Sequence, residues 1–124
     1  MIHETLKRTD NNYSDRIIHP NPKLKGVEAA TGSLGHGLST GCGMALGAKI
    51  NKKKYFTFVL MGDGECDEGT VWEAGLFASS KKLDNLITII DYNKWQGIGR
   101  TNKILNLEPL TQKWKSFGWN VFKV

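Results

Sequence analysis

Asp63 and Asn93 are the two side chains whose types and placing suit chemistry. Asp63 stands in Gly62-Asp63-Gly64, directly after the apolar run Tyr55-Phe56-Thr57-Phe58-Val59-Leu60-Met61. Thirty positions later Asn93 closes Asp91-Tyr92-Asn93, directly after Leu86-Ile87-Thr88-Ile89-Ile90. Runs this rich in aromatic and β-branched residues read as buried strands, so each delivers an oxygen donor to a strand end. If the strands are parallel neighbours, both oxygens face one crevice. Mg2+ takes one or two protein carboxyl or amide oxygens and completes its shell with phosphate and water. Asp63, the Asn93 side-chain oxygen and a carbonyl from the following loop make such a set for a cation bridging a diphosphate. Helix N-termini near Gly35 and Asp67 would add amide donors for the phosphates. Singly, Asp63 reads as a turn residue and Asn93 as a cap; at successive strand ends the pair reads as a site.

Two other phosphate sites fit less well. A dinucleotide fingerprint needs G-x-G-x-x-G between a strand and its helix, and Gly62-Asp63-Gly64-Glu65-Cys66-Asp67 lacks the third glycine. Asp63, Glu65, Asp67 and Glu68 would repel a bare pyrophosphate, so the acidic crowd argues for an intervening cation. No G-x-x-x-x-G-K-[ST] occurs, which excludes a Walker A loop.

These residues need elements to hold them. Residues 1–25 show no sustained apolar period and are broken by Asn11-Asn12, Pro20 and Pro22, so they read as an irregular arm. From Gly26 to Val124 the chain reads as one partial α/β domain. Thr31-Gly32-Ser33-Leu34-Gly35-His36-Gly37 is a glycine-rich turn entering a helix over 38–48, whose glycines cost up to about 1 kcal/mol each relative to Ala and imply a close backbone neighbour. A strand over 55–61 follows. Residues 67–83 then show a helical period, with acids at the start and lysines at the end as the helix dipole favours. After the strand at 86–90 comes a loop with Gly97 and Gly99. Pro109 opens a helix through Phe117, and 119–124 reads as a third strand. The fold class is α/β, an open, mainly parallel sheet with flanking helices joined by right-handed crossovers. Ligands of such sheets sit beyond the carboxyl ends of the strands.

At 124 residues the chain is one domain at most. Its 17 Lys and Arg against 12 Asp and Glu favour anionic ligands, but the basic residues are scattered. Lys52-Lys53-Lys54 and Lys81-Lys82 follow helices and read as solvated caps, so nucleic acid is not expected as a partner. Cys42 and Cys66, without a CxxC pair or His cluster, suit a reduced cytoplasmic protein. No signal peptide and no apolar run of about 20 residues is present, so no membrane partner is expected. Cys66, between Glu65 and Asp67, has its thiolate disfavoured and reads as inert; Cys42 reads as packed. Trp72, Phe77, Trp114, Phe117 and Trp119 read as core or interface residues.

Thr31-Gly32-Ser33-Leu34-Gly35-His36-Gly37, Gly62-Asp63-Gly64-Glu65-x-x-Glu68-Gly69-x-x-Trp72-Glu73-Ala74, Lys82-Leu83-Asp84-Asn85-Leu86 and Asp91-Tyr92-Asn93 together resemble the diphosphate-binding domain of transketolases. The likeness spans about His19 to Val124 and is greatest to the split type, whose N- and C-terminal parts are separate chains. Dehydrogenase E1 components and deoxyxylulose-phosphate synthase share the GDG and Asn but resemble the flanks less well.

What the resemblance implies can be placed residue by residue. Asp63 and Asn93 match the family's metal ligands, for Mg2+ or Ca2+, and Trp95 falls at the backbone carbonyl ligand. Gly64 matches the glycine whose amide meets the diphosphate, Gly62 is a further cofactor-binding position of the motif, and Gly32, Ser33 and Leu34 match the segment beside the cofactor, thiamine diphosphate. Glu68 and Glu73 match acids that link two active sites across the dimer in some transketolases, or are helix-surface acids. His19-Pro20 matches the catalytic His-Pro, with Ile18 in place of the usual glycine and one residue fewer before Gly26. His36 stands where many transketolases have Gln, as a hydrogen-bonding or capping residue. The implied activity is transfer of a two-carbon ketol unit from a ketose phosphate to an aldose. The implied partner is a pyrimidine-domain subunit, in a homodimer or heterotetramer, with the isolated chain inactive. The alternative is a non-catalytic binding or assembly module carrying the same motif.

Overall fold

The computed structural model describes residues 26–124. Gly26–Gly32 belongs to a first compact unit ending at Gly32, and Ser33–Val124 forms a second. In the first, Gly26 and Gly32 take the positive φ values of 88° and 122°, which glycine reaches without the Cβ penalty of other residues.

The second unit opens with α1, His36–Ile50, entered from Gly35 at φ 79°. Leu38, Gly41, Cys42, Ala45 and Ala48 form its buried face, spaced three and four apart as a helix face requires. This face rests on β1, Thr57–Gly62. The contact is close: a Cβ on Gly41 would stand 2.4 Å from Val59 Cγ2. The neighbours that Gly41 admits are side chains of the two strands, Val59, Thr57 and Leu86, and not the backbone that the glycines imply in the sequence. Gly43 and Gly47 meet no other group within 4 Å of where a Cβ would be.

A short 3-10 helix, Asp63–Asp67, continues from β1, and α2 spans Gly69–Ser80. The sequence period runs from 67 to 83, yet α2 begins two residues later and ends three earlier. Glu68 is extended at φ −83° and ψ 130°, separating the two helical turns. Lys82 turns the chain at φ 50°. β2, Leu86–Asp91, pairs in parallel with β1, in register from Thr57 opposite Leu86 to Gly62 opposite Asp91. The predicted strand–helix–strand crossover is thus present.

A two-residue hairpin follows, β3 (Trp95–Gln96) against β4 (Gly99–Arg100). It leads into α3, Thr101–Ile104, and α4, Leu110–Ser116. Trp114 of α4 stacks with Trp72 at 5.5 Å and meets Trp119 edge-on at 5.2 Å. The indole of Trp119 donates to the Gly75 carbonyl at 2.9 Å. These aromatics are core residues, as their types imply.

Residues 119–124 are not a strand, contrary to the sequence reading. A strand requires a hydrogen-bonded neighbour, and this segment is separated from β2 by a groove of about 1230 Å³. Among the described residues, only one face of the parallel pair is buried. Thr57, Val59 and Met61 face inward, while Phe58, Leu60, Ile87 and Ile89 are exposed, so the reading of fully buried strands is corrected. Parallel sheets are stable with both faces covered, and their uniformly apolar runs cannot tell which cover is supplied by the same segment of chain. Among the described residues no helix is long and apolar enough to cross a membrane.

Candidate functional site

The carboxyl ends of β1 and β2 lie side by side because Gly62 and Asp91 are register partners. Asp63 is one residue past that line and Asn93 two. Asp63 is 2% exposed. Its Oδ1 accepts the Gly64 amide at 3.0 Å and its Oδ2 accepts the Thr101 hydroxyl. No Lys or Arg pairs with it among the described residues. A buried carboxylate held by neutral donors alone is an electrostatic liability that a bound cation relieves.

Asn93 is exposed. Its Oδ1 accepts the Trp95 amide at 2.8 Å and its Nδ2 donates to Asp91 Oδ2 at 3.1 Å. This turn, with Lys94 at φ 68°, fixes the side-chain oxygen and leaves it a second lone pair. The two halves are joined by Thr101: its hydroxyl reaches Asp63 while its amide donates to the Lys94 carbonyl at 3.2 Å. Gln96 adds a second tie, donating to Asp67 Oδ2 at 2.9 Å. The indole of Trp95 is exposed, with the Arg100 guanidinium 4.7 Å above its ring.

The donor set suits a hard divalent cation. Asp63, Asn93 and the backbone at Trp95 belong to one linked structure. No cluster of three or more His, Cys, Asp or Glu occurs among the described residues. An all-protein cage is not what Mg2+ uses beside phosphate.

The glycine-rich turn is tied to the same loop. Glu65 Oε2 accepts the Gly35 amide at 3.1 Å, and Oε1 accepts the Gly62 amide at 3.4 Å. Gly35 is buried, and a Cβ there would stand 2.7 Å from Glu68 Cβ and 2.6 Å from Thr70 Oγ1. Ser33 and Leu34 are thereby held beside the Gly-Asp-Gly loop, exposed. His36 Nδ1 lies 3.0 Å from Ser33 Oγ and 3.1 Å from the Leu34 carbonyl, so its ring turns back on its own turn. Glu68 and Glu73 are exposed on and before α2.

Burial pushes the Cys66 thiol up to about 12, with Glu65, Asp67 and Asp63 adding to the effect. This agrees with the inert reading. Cys42 is likewise raised by burial and its thiol faces the Ala74 carbonyl at 3.6 Å.

His19 lies outside the described residues, and Gly32 in the other compact unit. Asp63, Gly62, Gly64, Asn93, Trp95, Ser33 and Leu34 belong to one unit. Thr101 and Glu65 were not singled out by sequence. Thr101 opens a four-residue helix with no motif around it, and nothing short of the fold connects it to a residue 38 positions earlier. Glu65 is legible only as one of a run of acids.

The family model for the transketolase thiamine diphosphate binding domain matches residues 2–124. The chain is 48% identical over 106 residues to an apulose-4-phosphate transketolase subunit of Phocaeicola vulgatus, covering 86% of this chain and 38% of that protein. It is 48% identical over 96 residues to the 6-deoxy-6-sulfo-D-fructose transketolase subunit SqwG of a Clostridium species, covering 77% and 35%. The chain therefore spans less than half the length of these relatives. Among solved structures it resembles transketolase from Campylobacter jejuni with a TM-score of 0.74 at 34% identity, over 81% of this chain and 17% of that one.

Proposed function

The chain belongs to the transketolase thiamine diphosphate-binding domain family, and on that premise we propose that it forms the diphosphate and metal wall of a ketol-transferring enzyme acting on sugar phosphates. The observation that carries this reading is the buried Asp63 carboxylate, without a basic partner among the described residues and tied through Thr101 to the turn that holds Asn93. Asp63, the Asn93 side-chain oxygen and the Trp95 carbonyl would hold Mg2+ or Ca2+. Gly62 and Gly64 would lie against the diphosphate, with Gly32, Ser33 and Leu34 alongside the rest of the cofactor. The catalytic histidine of this reading is His19, on the resemblance of His19-Pro20 to the family's His-Pro.

Thiamine diphosphate, when bound, supplies the nucleophilic carbon that ketol transfer needs, and the protein supplies binding, orientation and electrostatics. Asp63 would contribute negative charge toward the cation and Asn93 a neutral oxygen, and both would orient it. Activation of the cofactor falls to a pyrimidine domain, which we assign to a partner subunit, the site being assembled at the interface of a homodimer or heterotetramer. The names of the split relatives as subunits support that arrangement.

Calorimetric titration of the full chain with thiamine diphosphate and Mg2+ tests the reading. Saturable, Mg2+-dependent binding is expected, weakened about a hundredfold or more in Asp63→Ala because a lost first ligand costs at least as much as a lost outer partner. Binding retained in Asp63→Ala would remove the metal assignment. Ketol transfer by the chain without a partner would refute the dependence on one.

A further inference from the structure

Resting on the reading above, we propose that Glu65 is a positioning residue for the cofactor, a clamp that fixes the Ser33–Leu34 turn against the Gly-Asp-Gly loop without touching the ligand. The carboxylate is split between two backbone amides. Oε2 takes the Gly35 amide, 30 residues back, at 3.1 Å, and Oε1 takes the Gly62 amide at 3.4 Å. One amide closes the turn that enters α1; the other ends β1, directly before Asp63. Glu65 thus joins the two segments that the proposed site needs in fixed relation.

Among the described residues no other hydrogen bond joins Ser33–Gly35 to Gly62–Asp67, although α1 itself packs on β1 through Gly41 and Val59. The Ser33 hydroxyl is engaged with His36, inside its own turn. The opposite side of Gly35 is closed by steric contact with Glu68 and Thr70, which limits approach but supplies no hydrogen bond. Hydrogen bonds from amides to a carboxylate are about twice as strong as neutral ones, and the rigid 3-10 turn Asp63–Asp67 presents this one at a set distance. Without the carboxylate, Ser33 and Leu34 remain attached to α1 but lose their register against Asp63.

The test combines amide hydrogen exchange by NMR with calorimetry on the full chain, for wild type, Glu65→Ala and Glu65→Gln. In wild type the Gly35 and Gly62 amides should be protected. In Glu65→Ala both should exchange roughly tenfold faster or more, and thiamine diphosphate with Mg2+ should bind about tenfold more weakly, while the amides of α1 and α2 keep their protection. Glu65→Gln keeps one acceptor and should recover protection of one amide and part of the affinity; it decides the question if the alanine variant fails to fold. Unchanged exchange at Gly35 would overturn the clamp. Freed amides, or a lowered melting temperature, with unchanged affinity would mark a merely structural role and overturn the positioning claim. A wild-type chain with both amides protected that binds no cofactor even with a pyrimidine-domain partner subunit present would instead refute the functional reading, and the positioning role with it, a failure recognisable because it occurs before any substitution.

Discussion

Cys66 shows how the acids around Asp63 act on a neighbour that takes no part in binding. Its thiol is buried and pushed up to about 12 from an ordinary value near 9, first by burial and then by Glu65, Asp67 and Asp63. In the unfolded chain the thiol ionises near its ordinary value, so the folded state holds the proton longer. Its contribution to stability is complete below about pH 9 and is lost as pH rises toward 12, by at most about 1.4 kcal/mol per pH unit. Urea unfolding of wild type and Cys66→Ala between pH 8 and 11 should show the wild-type advantage shrinking only above pH 9. A constant difference across that range would show that the thiol does not titrate differently in the two states. The same environment predicts slow alkylation of Cys66 in the native protein. The placing of Asp63 and Asn93 just past neighbouring strand ends was legible in the sequence because each follows closely on an apolar run. Thr101 and Glu65 were not, since their roles depend on contacts with Asp63 and with Gly35 that only the folded chain creates.

At the scale of elements, the glycines of α1 divide by what lies beside them. Gly41→Ala gains up to about 1 kcal/mol of helix propensity. It also forces a methyl against Val59 Cγ2 at 2.4 Å and Leu86 Cδ1 at 3.4 Å. Val59 is β-branched and stiff at χ1, so overpacking of about 1–3 kcal/mol dominates. Gly43→Ala, with no neighbour within 4 Å, keeps the gain. Urea denaturation should therefore place Gly41→Ala below wild type and Gly43→Ala above it. The reverse order would mean that β1 yields more readily than its packing implies. Sequence period revealed α2, and apolar runs revealed both strands of the parallel pair, whereas α1 was read from the glycine-rich turn that enters it. The period extended α2 too far: Asp67, tied to Gln96, and the extended Glu68 interrupt a pattern that is otherwise helical. The β3–β4 hairpin, two residues a side, is too short to carry a period. Trp119–Val124 has strand-like composition, yet composition expresses fitness for a pleated surface and does not provide the neighbouring strand.

For the whole molecule, the open side of the parallel pair is the dominant feature. Phe58, Leu60, Ile87 and Ile89 project from adjacent strands and are between 38% and 66% exposed. Contiguous apolar surface of this kind marks sites of association. The isolated chain should bind a hydrophobic fluorescent dye while natively folded. Phe58→Lys with Ile89→Lys should lower that fluorescence at least about twofold with little change in the melting midpoint, since exposed substitutions away from packed features cost about 0.5 kcal/mol or less. Undiminished fluorescence would place the dye on another surface of the protein.

The parallel register of β1 and β2 also sets an order in time. Thr57 meets Leu86, and every later pair follows at the same separation along the chain. The ends of a parallel pair cannot approach through a tight turn; the whole crossover through α2 must close first, and its entropy is lost before any ladder contact compensates. Asp63 and Asn93 therefore reach neighbouring strand ends only when β2 docks. A newly made chain possesses no half-formed pocket while β2 is still unplaced, so a ligand that needs both residues can stabilise the crossover once closed and cannot guide its early formation.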